Sequence, residues 1–153
     1  MTEVAIREAE AADAQHVTHL LTELGCSVET GDVRRRIERL RGGAADRIFL
    51  AKLDGRVVGL VGIHIVPLLY REPLGRITAF IVTKAHRGRG IGKDLLSAAE
   101  RWAVELGCTQ VELNSGDHHQ PSHAFYHHMG YRIDDRRFIK EDDDLGAGNS
   151  QST

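Results

Sequence analysis

Residues 85–96 read AHRGRGIGKDLL. Three glycines, Gly88, Gly90 and Gly92, alternate with Arg87, Arg89 and Ile91, and the stretch runs straight into a helical repeat of apolar residues. Bare backbone and positive charge at the start of a helix suit an anion, because exposed N–H groups and the helix dipole both point at it. A nucleotide P-loop does not fit. It would need glycine at position 87, which is Arg87, and a hydroxyl after the lysine, where Asp94 stands. A dinucleotide fingerprint does not fit either, since the spacing Gly88-x-Gly90-x-Gly92 is one residue short and three predicted strands precede the one that leads into it. A plain strand-to-helix connection would explain the glycines but not the cluster of His86, Arg87, Arg89 and Lys93. The reading that remains is a cradle for phosphate groups.

Outward from this loop, the upstream run RITAFIV (residues 76–82) is apolar at nearly every position, as a strand near the centre of a sheet requires. Downstream, Leu95, Leu96, Ala99, Trp102, Ala103 and Leu106 recur at helical spacing until Gly107. Before residue 76, Asp54-Gly55 separates two apolar runs and predicts a hairpin. Val4 and Ile6 alternate with polar neighbours in a first strand. Asp13 is expected to cap a helix carrying Val17, Leu20, Leu21 and Leu24, and Thr30 or Asp32 to start a second with Val33, Ile37 and Leu40 on one face. The arginines of VRRRIERLR read as a solvated face. After Gly107, CTQVELN predicts a strand, Pro121 opens a short helix ended by Gly130, and YRIDDRRFIK offers a last strand or hairpin arm. The order β-α-α-β-β-β-α-β-α-β excludes regular β-α alternation and implies a mixed α/β sheet with helices on both faces.

The chain has 153 residues, 41% hydrophobic and 27% charged, with a net charge of −2. That fits one domain over residues 1–140, followed by a disordered acidic tail over 141–153. No global basic field argues for nucleic acid, and no run approaches a membrane span. No targeting peptide is evident, and the distant Cys26 and Cys108 read as free thiols, so a cytoplasmic location is expected.

The segment Arg87-Gly88-Arg89-Gly90-Ile91-Gly92 resembles the Arg/Gln-x-x-Gly-x-Gly/Ala signature of the GNAT superfamily of acyl-CoA N-acyltransferases. The flanking ITAFIV and IGKDLLSAAERWA, and the downstream VELNSG and HAFYHHMGYR, are similar to the same family over residues 57–131. The resemblance implies a mostly antiparallel sheet of six to seven strands, about four helices and a splayed strand pair holding the coenzyme. It implies acetyl-CoA as donor and a primary amine as acceptor. By the same resemblance, Phe80, Ile81 and Val82 give backbone contacts to the pantetheine arm, with Val82 N–H donating to the thioester oxygen. Arg87, Gly88, Arg89, Gly90, Ile91, Gly92 and Lys93 hold the phosphates, and Tyr126 protonates the departing thiolate. Asn114 and Ser122 are placed to touch the coenzyme, although each reads equally well as a cap. No metal is expected.

The strand before the glycine loop lacks the carboxylate that some family members use as a base. His64, Asp117, His118, His119 or a water remain open for that role. The acceptor is expected to be a small soluble amine, because the acids are spread along the chain rather than gathered in a groove. Residues 24–41, expected to roof its pocket, mix Glu29 and Asp32 with Arg34, Arg35 and Arg36, next to Glu23. That mixture suits an amine bearing an anionic group as well as it suits a polyamine or aminoglycoside. A peptide acceptor and a non-catalytic CoA-binding module are the competing readings, and homodimerisation is left open.

Overall fold

The computed structural model describes residues 3–114, 120–134 and 138–141. The chain forms two compact units, residues 1–116 and 117–153. The first holds strands β1 (Val4–Glu8), β2 (Asp46–Leu53), β3 (Arg56–Val66), β4 (Leu74–Val82) and β5 (Gln110–Leu113), with helices α1 (Ala14–Glu23), α2 (Thr30–Arg41) and α3 (Ile91–Glu105). The second holds helix α4 (Gln120–His128).

The strands lie in chain order, β1-β2-β3-β4-β5, antiparallel throughout except for the parallel β4–β5 pair. Asp54 and Gly55 both adopt positive φ, 52° and 79°. Two left-handed residues make the turn whose twist matches a hairpin, so the Asp-Gly signal sets the β2–β3 register. On one sheet face, Leu50, Leu60 and Ile81 pack against Val17 and Leu20 of α1 and Val33 and Ile37 of α2. On the other lies α3, with Ile91, Leu95, Leu96, Ala99 and Ala103 buried. Each fully buried leucine contributes about 2 kcal/mol relative to leaving it in water. The helix can lie close because β3 and β4 present Gly59 and Gly75 beneath it. A Cβ on Gly59 would sit 2.9 Å from Leu95 Cδ1, and one on Gly75 would sit 3.2 Å from Ala103 Cβ.

The class is the expected mixed α/β sheet, but among the described residues it has five strands rather than six or seven. The apolar residues of the expected last strand, Ile133, Phe138 and Ile139, are exposed, and the described residues around them pair with no strand. Alternation makes a strand only where a partner edge and a buried face exist. The acidic tail expected to be disordered lies, from residue 142 onward, outside the described residues.

Asp13 does not cap α1 as expected. It stands before the helix in αR conformation and makes no side-chain cap. Its carboxylate instead takes two hydrogen bonds from Arg7, at 2.8 and 2.7 Å, and one from Glu10 N–H at 2.7 Å. The Arg7 guanidinium holds the Asp13 carboxyl below the ordinary carboxylate range, with burial opposing and the Glu10 N–H assisting. A depressed folded value gives stability that is present above the unfolded value, about pH 3.9, and is lost as pH falls through the folded one. Asp13→Asn should therefore cost about 1–2 kcal/mol at pH 7, a modest sum because Arg7 is partly exposed, and should flatten the acid end of the stability curve. Urea unfolding at pH 7 and pH 3 checks this; identical midpoints for wild type and variant at pH 7 would refute the role.

Candidate active site

Strand β4 is paired on one side along its whole length and on the other along only half. Its parallel ladder with β5 runs from Leu74–Gln110 to Ile77–Leu113 and stops. Its antiparallel ladder with β3 continues through Ala79, Phe80, Ile81 and Val82 to Gly59. Thr83 N–H donates to Val58 carbonyl at 2.8 Å, so the alternation of a strand turns the N–H and C=O of Val82 and Phe80 toward the side that β5 has left. The opening begins at a bulge. Ile77 faces Ile63 and Ala79 faces Gly62, which leaves Thr78 as the extra residue. The Thr78 hydroxyl lies over Gly62, where a Cβ would come within 2.9 Å of it. Asn114 directly follows β5 and is exposed.

Val82 leads into the glycine loop through Thr83 and a 3₁₀ turn, Lys84–His86. Gly88 and Gly90 have φ of +80° and +83°, and a Cβ on either would meet nothing within 4 Å. Glycine is thus required there by backbone conformation, and the space beside it is open. Gly90 stands before α3, whose first internal bond is donated by Asp94 N–H to Gly90 carbonyl. The N–H groups of Ile91, Gly92 and Lys93 therefore face out of the helix end, where positive potential gathers. Arg89 and Lys93 are exposed and have no ion-pair partner among the described residues. This set of N–H groups, open glycines and cations fits a pyrophosphate.

Arg87 is occupied differently. Its Nε donates to the Val82 carbonyl at 2.9 Å, and its guanidinium lies 3.6 Å from Glu23. Glu23, the last residue of α1, also accepts from the Thr83 hydroxyl and from Lys84 N–H, each at 2.8 Å. One carboxylate thus fixes the entry to the loop. No local sequence signal marks it, because its partners lie some sixty positions away. Asp32, in the segment expected to roof the acceptor, pairs with Arg35 of the same helix.

In the second unit, Tyr126 is half-buried and packs edge-on against Phe125 and Tyr131, with ring centroids 5.5 and 6.2 Å apart. Burial pushes its phenol above the ordinary value, so it keeps its proton at neutral pH. Ser122 lies in the first turn of the same helix. Of the candidate bases, His64 sits on β3 with its Nδ1 2.8 Å from Asp46, whereas Asp117, His118 and His119 fall outside the described residues. Among the described residues no group of three or more His, Cys, Asp or Glu could hold a metal ion. Among the described residues no helix is long and apolar enough to cross a membrane.

A splayed strand pair leading to a glycine cradle can be compared with known proteins. The family profile described as Acetyltransferase (GNAT) family matches residues 14–131. The chain belongs to the GNAT family. As a GNAT protein it is an acetyl-CoA-dependent acyltransferase, with acetyl-CoA as co-substrate. It is 34% identical over 92 residues to the aminoalkylphosphonate N-acetyltransferase of Salmonella typhimurium, a match spanning 60% of each chain. It is 26% identical over 136 residues to aminoglycoside N(6')-acetyltransferase type 1 of Stenotrophomonas maltophilia, covering 86% of this chain and 88% of that one. The aminoglycoside N-acetyltransferase AAC(6')-Iy, solved in complex with CoA, shares the GNAT fold with a TM-score of 0.84 over 93% of this chain and 96% of its own, at 18% identity.

Coenzyme A should raise the melting temperature, because a ligand bound only by the folded state stabilises it by mass action. Gly90→Asp should abolish that rise by placing a negative charge in the cradle, while the fold survives a backbone penalty of about 1 kcal/mol. A folded Gly90→Asp protein that shifts like the wild type in differential scanning fluorimetry would remove the loop from the phosphate site.

Proposed function

We propose that this protein acetylates the primary amine of a small soluble molecule, with the amine attacking the thioester directly in a ternary complex. The observation that carries the reading is the early end of the β4–β5 ladder. It leaves a strand edge that an extended, amide-bearing arm can complete, with the phosphate cradle at the far end of that edge. Support for a small acceptor comes from the relatives, whose names specify an aminoalkylphosphonate and an aminoglycoside.

In this reading acetyl-CoA supplies an activated carbonyl and a thiolate leaving group. The backbone of Phe80, Ile81 and Val82 aligns the pantetheine arm; because Val82 borders the cradle, the oxygen that gains charge in the transition state is met by the outward-facing N–H nearer the fork, that of Phe80. The N–H groups at the start of α3 face the pyrophosphate, Arg89 and Lys93 face the outer phosphates, and Arg87, tied to Val82 and Glu23, shapes the loop between them. Asn114 and Ser122 contact the coenzyme. Tyr126 gives its proton to the thiolate as it leaves, a role supported by its place in the Phe-Tyr motif and by a half-buried phenol that stays protonated. Cys26 and Cys108 are both free, which fits a reducing cytoplasm.

The test is a screen of amines for CoA release from acetyl-CoA, covering amino acids, aminoalkylphosphonates, polyamines and aminoglycosides, with lysine-rich peptides at matched concentration. At least one small amine should turn over well above background. Turnover of the peptides alone would overturn the small-molecule reading.

With the best amine, Tyr126→Phe should lower kcat about 10²-fold with little change in coenzyme affinity. On the alkaline side, the wild-type rate should fall as pH rises through the raised phenol value, above about 10. An unchanged chemical step in single-turnover experiments would reduce Tyr126 to packing.

A further inference from the structure

The rung just before the splay carries a line of charge across the sheet. Asp46 of β2 is directly opposite His64 of β3, His64 is opposite Arg76 of β4, and Arg76 is opposite Glu112 of β5. Opposed residues share a face, so the four side chains stand on one side of the sheet. It is the α1–α2 side, because Ile48 and Leu50, on the same face of β2 as Asp46, belong to the core beneath those helices. The line resolves into two pairs, His64 Nδ1 to Asp46 at 2.8 Å and Arg76 to Glu112 at 2.6 Å. Neither pair is sealed: the side chains of His64 and Arg76 are 42% and 47% exposed.

The Arg76–Glu112 rung precedes the last rung, Ile77–Leu113, where β4 and β5 part. A coenzyme arm laid along β4 from Val82 brings its reactive end to this fork. The next residue of β3 on the same face as His64, in the direction of the bulge, is Gly62, which has no side chain. The Thr78 hydroxyl lies beside it. Between His64 and the bulge, this face of β3 therefore carries no side chain.

We propose that His64 is the base that takes the proton from the acceptor's ammonium group, and that Asp46 is the positioning residue that holds its ring. The inference rests on the N-acetyltransferase reading given above. A primary amine at neutral pH carries a proton on the lone pair it needs for attack. With Nδ1–H given to the Asp46 carboxylate, Nε2 is left with a free lone pair, the arrangement in which imidazole accepts a proton. Nε2 takes one proton from the ammonium, directly or through one water. The amine nitrogen then bonds to the carbonyl carbon, the C–S bond breaks, and the thiolate leaves with the proton of Tyr126. The amide nitrogen's remaining surplus proton restores the phenol, and His64 passes its own proton to solvent at its exposed edge. The sum is ammonium plus acetyl-CoA giving amide, CoA thiol and one proton. The charged groups at the register positions beside His64 are Asp46 and Arg76, and Glu112 holds Arg76 from the far side.

Steady-state kinetics with the best amine of the screen test this. His64→Gln should lower kcat about 10²-fold and remove the acidic limb of the kcat/KM profile, leaving the KM for acetyl-CoA unchanged. Asp46→Asn should act in the same direction by less. Imidazole added to His64→Gly should restore turnover, a response that a packing role would not give. A CoA-dependent rise in melting temperature in each variant shows that the fold and the coenzyme site are intact. If the wild type turns over and His64→Gln matches its rate and pH profile, the proposal falls and the acyltransfer reading stands. If the wild type releases CoA with no amine, both fall.

Discussion

One hydrogen-bonding constraint organises this molecule: β4 is longer than its parallel partner. A strand edge presents N–H and C=O groups that need partners, and an edge inside a fold must find them in another chain, in water or in a ligand. Here β3 and α3 fix β4 from one side and from one face, so its course does not depend on β5. The open edge that results runs from the fork to a loop with two left-handed glycines and the free N–H groups of a helix start. Thr83 N–H on Val58 and Arg87 on Val82 keep the strand and the loop in one frame.

Charge follows the same economy of means. The chain is slightly acidic, yet positive potential is gathered locally at the start of α3. Glu23 lies close to it without abolishing it. That carboxylate binds Arg87 together with a hydroxyl and a backbone N–H, while Arg89 and Lys93 keep their charge toward solvent. Surface charges of this kind are worth little as ion pairs and much more as a focused field.

Local signals made much of this legible. The Asp54-Gly55 pair gave the hairpin because two left-handed residues can be read from those two side chains. The spacing from Ile91 to Ala103 gave α3 and its buried face, and the run of glycines marked the loop with left-handed residues that precedes it. What could not be read depended on register or on distance along the chain. The run ITAFIV contains its bulge without marking it, since Thr78 differs from its neighbours only by a hydroxyl. The Asp46–His64 pair joins positions eighteen apart, and the Glu23 contacts span sixty and more. Asp13 looked like a cap because aspartate is among the preferred N-cap residues, yet the nearby Arg7 competes for the same oxygens. The final strand failed for a related reason, since its pattern is present but no described partner edge accompanies it.

The bulge at Thr78 also governs how such a chain can vary over generations. Odd-numbered Gly75 lies against α3, while odd-numbered Ala79 and Ile81 lie against the α1–α2 core. The two halves of β4 are out of phase, and the single extra residue is what reconciles them. Losing or gaining one residue between Arg76 and Phe80 would turn Ile81 out of its core and Phe80 into it. Point substitutions can accumulate in that stretch, but changes of length cannot. The connection between β3 and β4 is under no such rule, with Leu69 and Tyr70 standing in solvent. Descendants of this sequence should therefore differ by the length of surface connections such as this one, while β4 keeps its residue count.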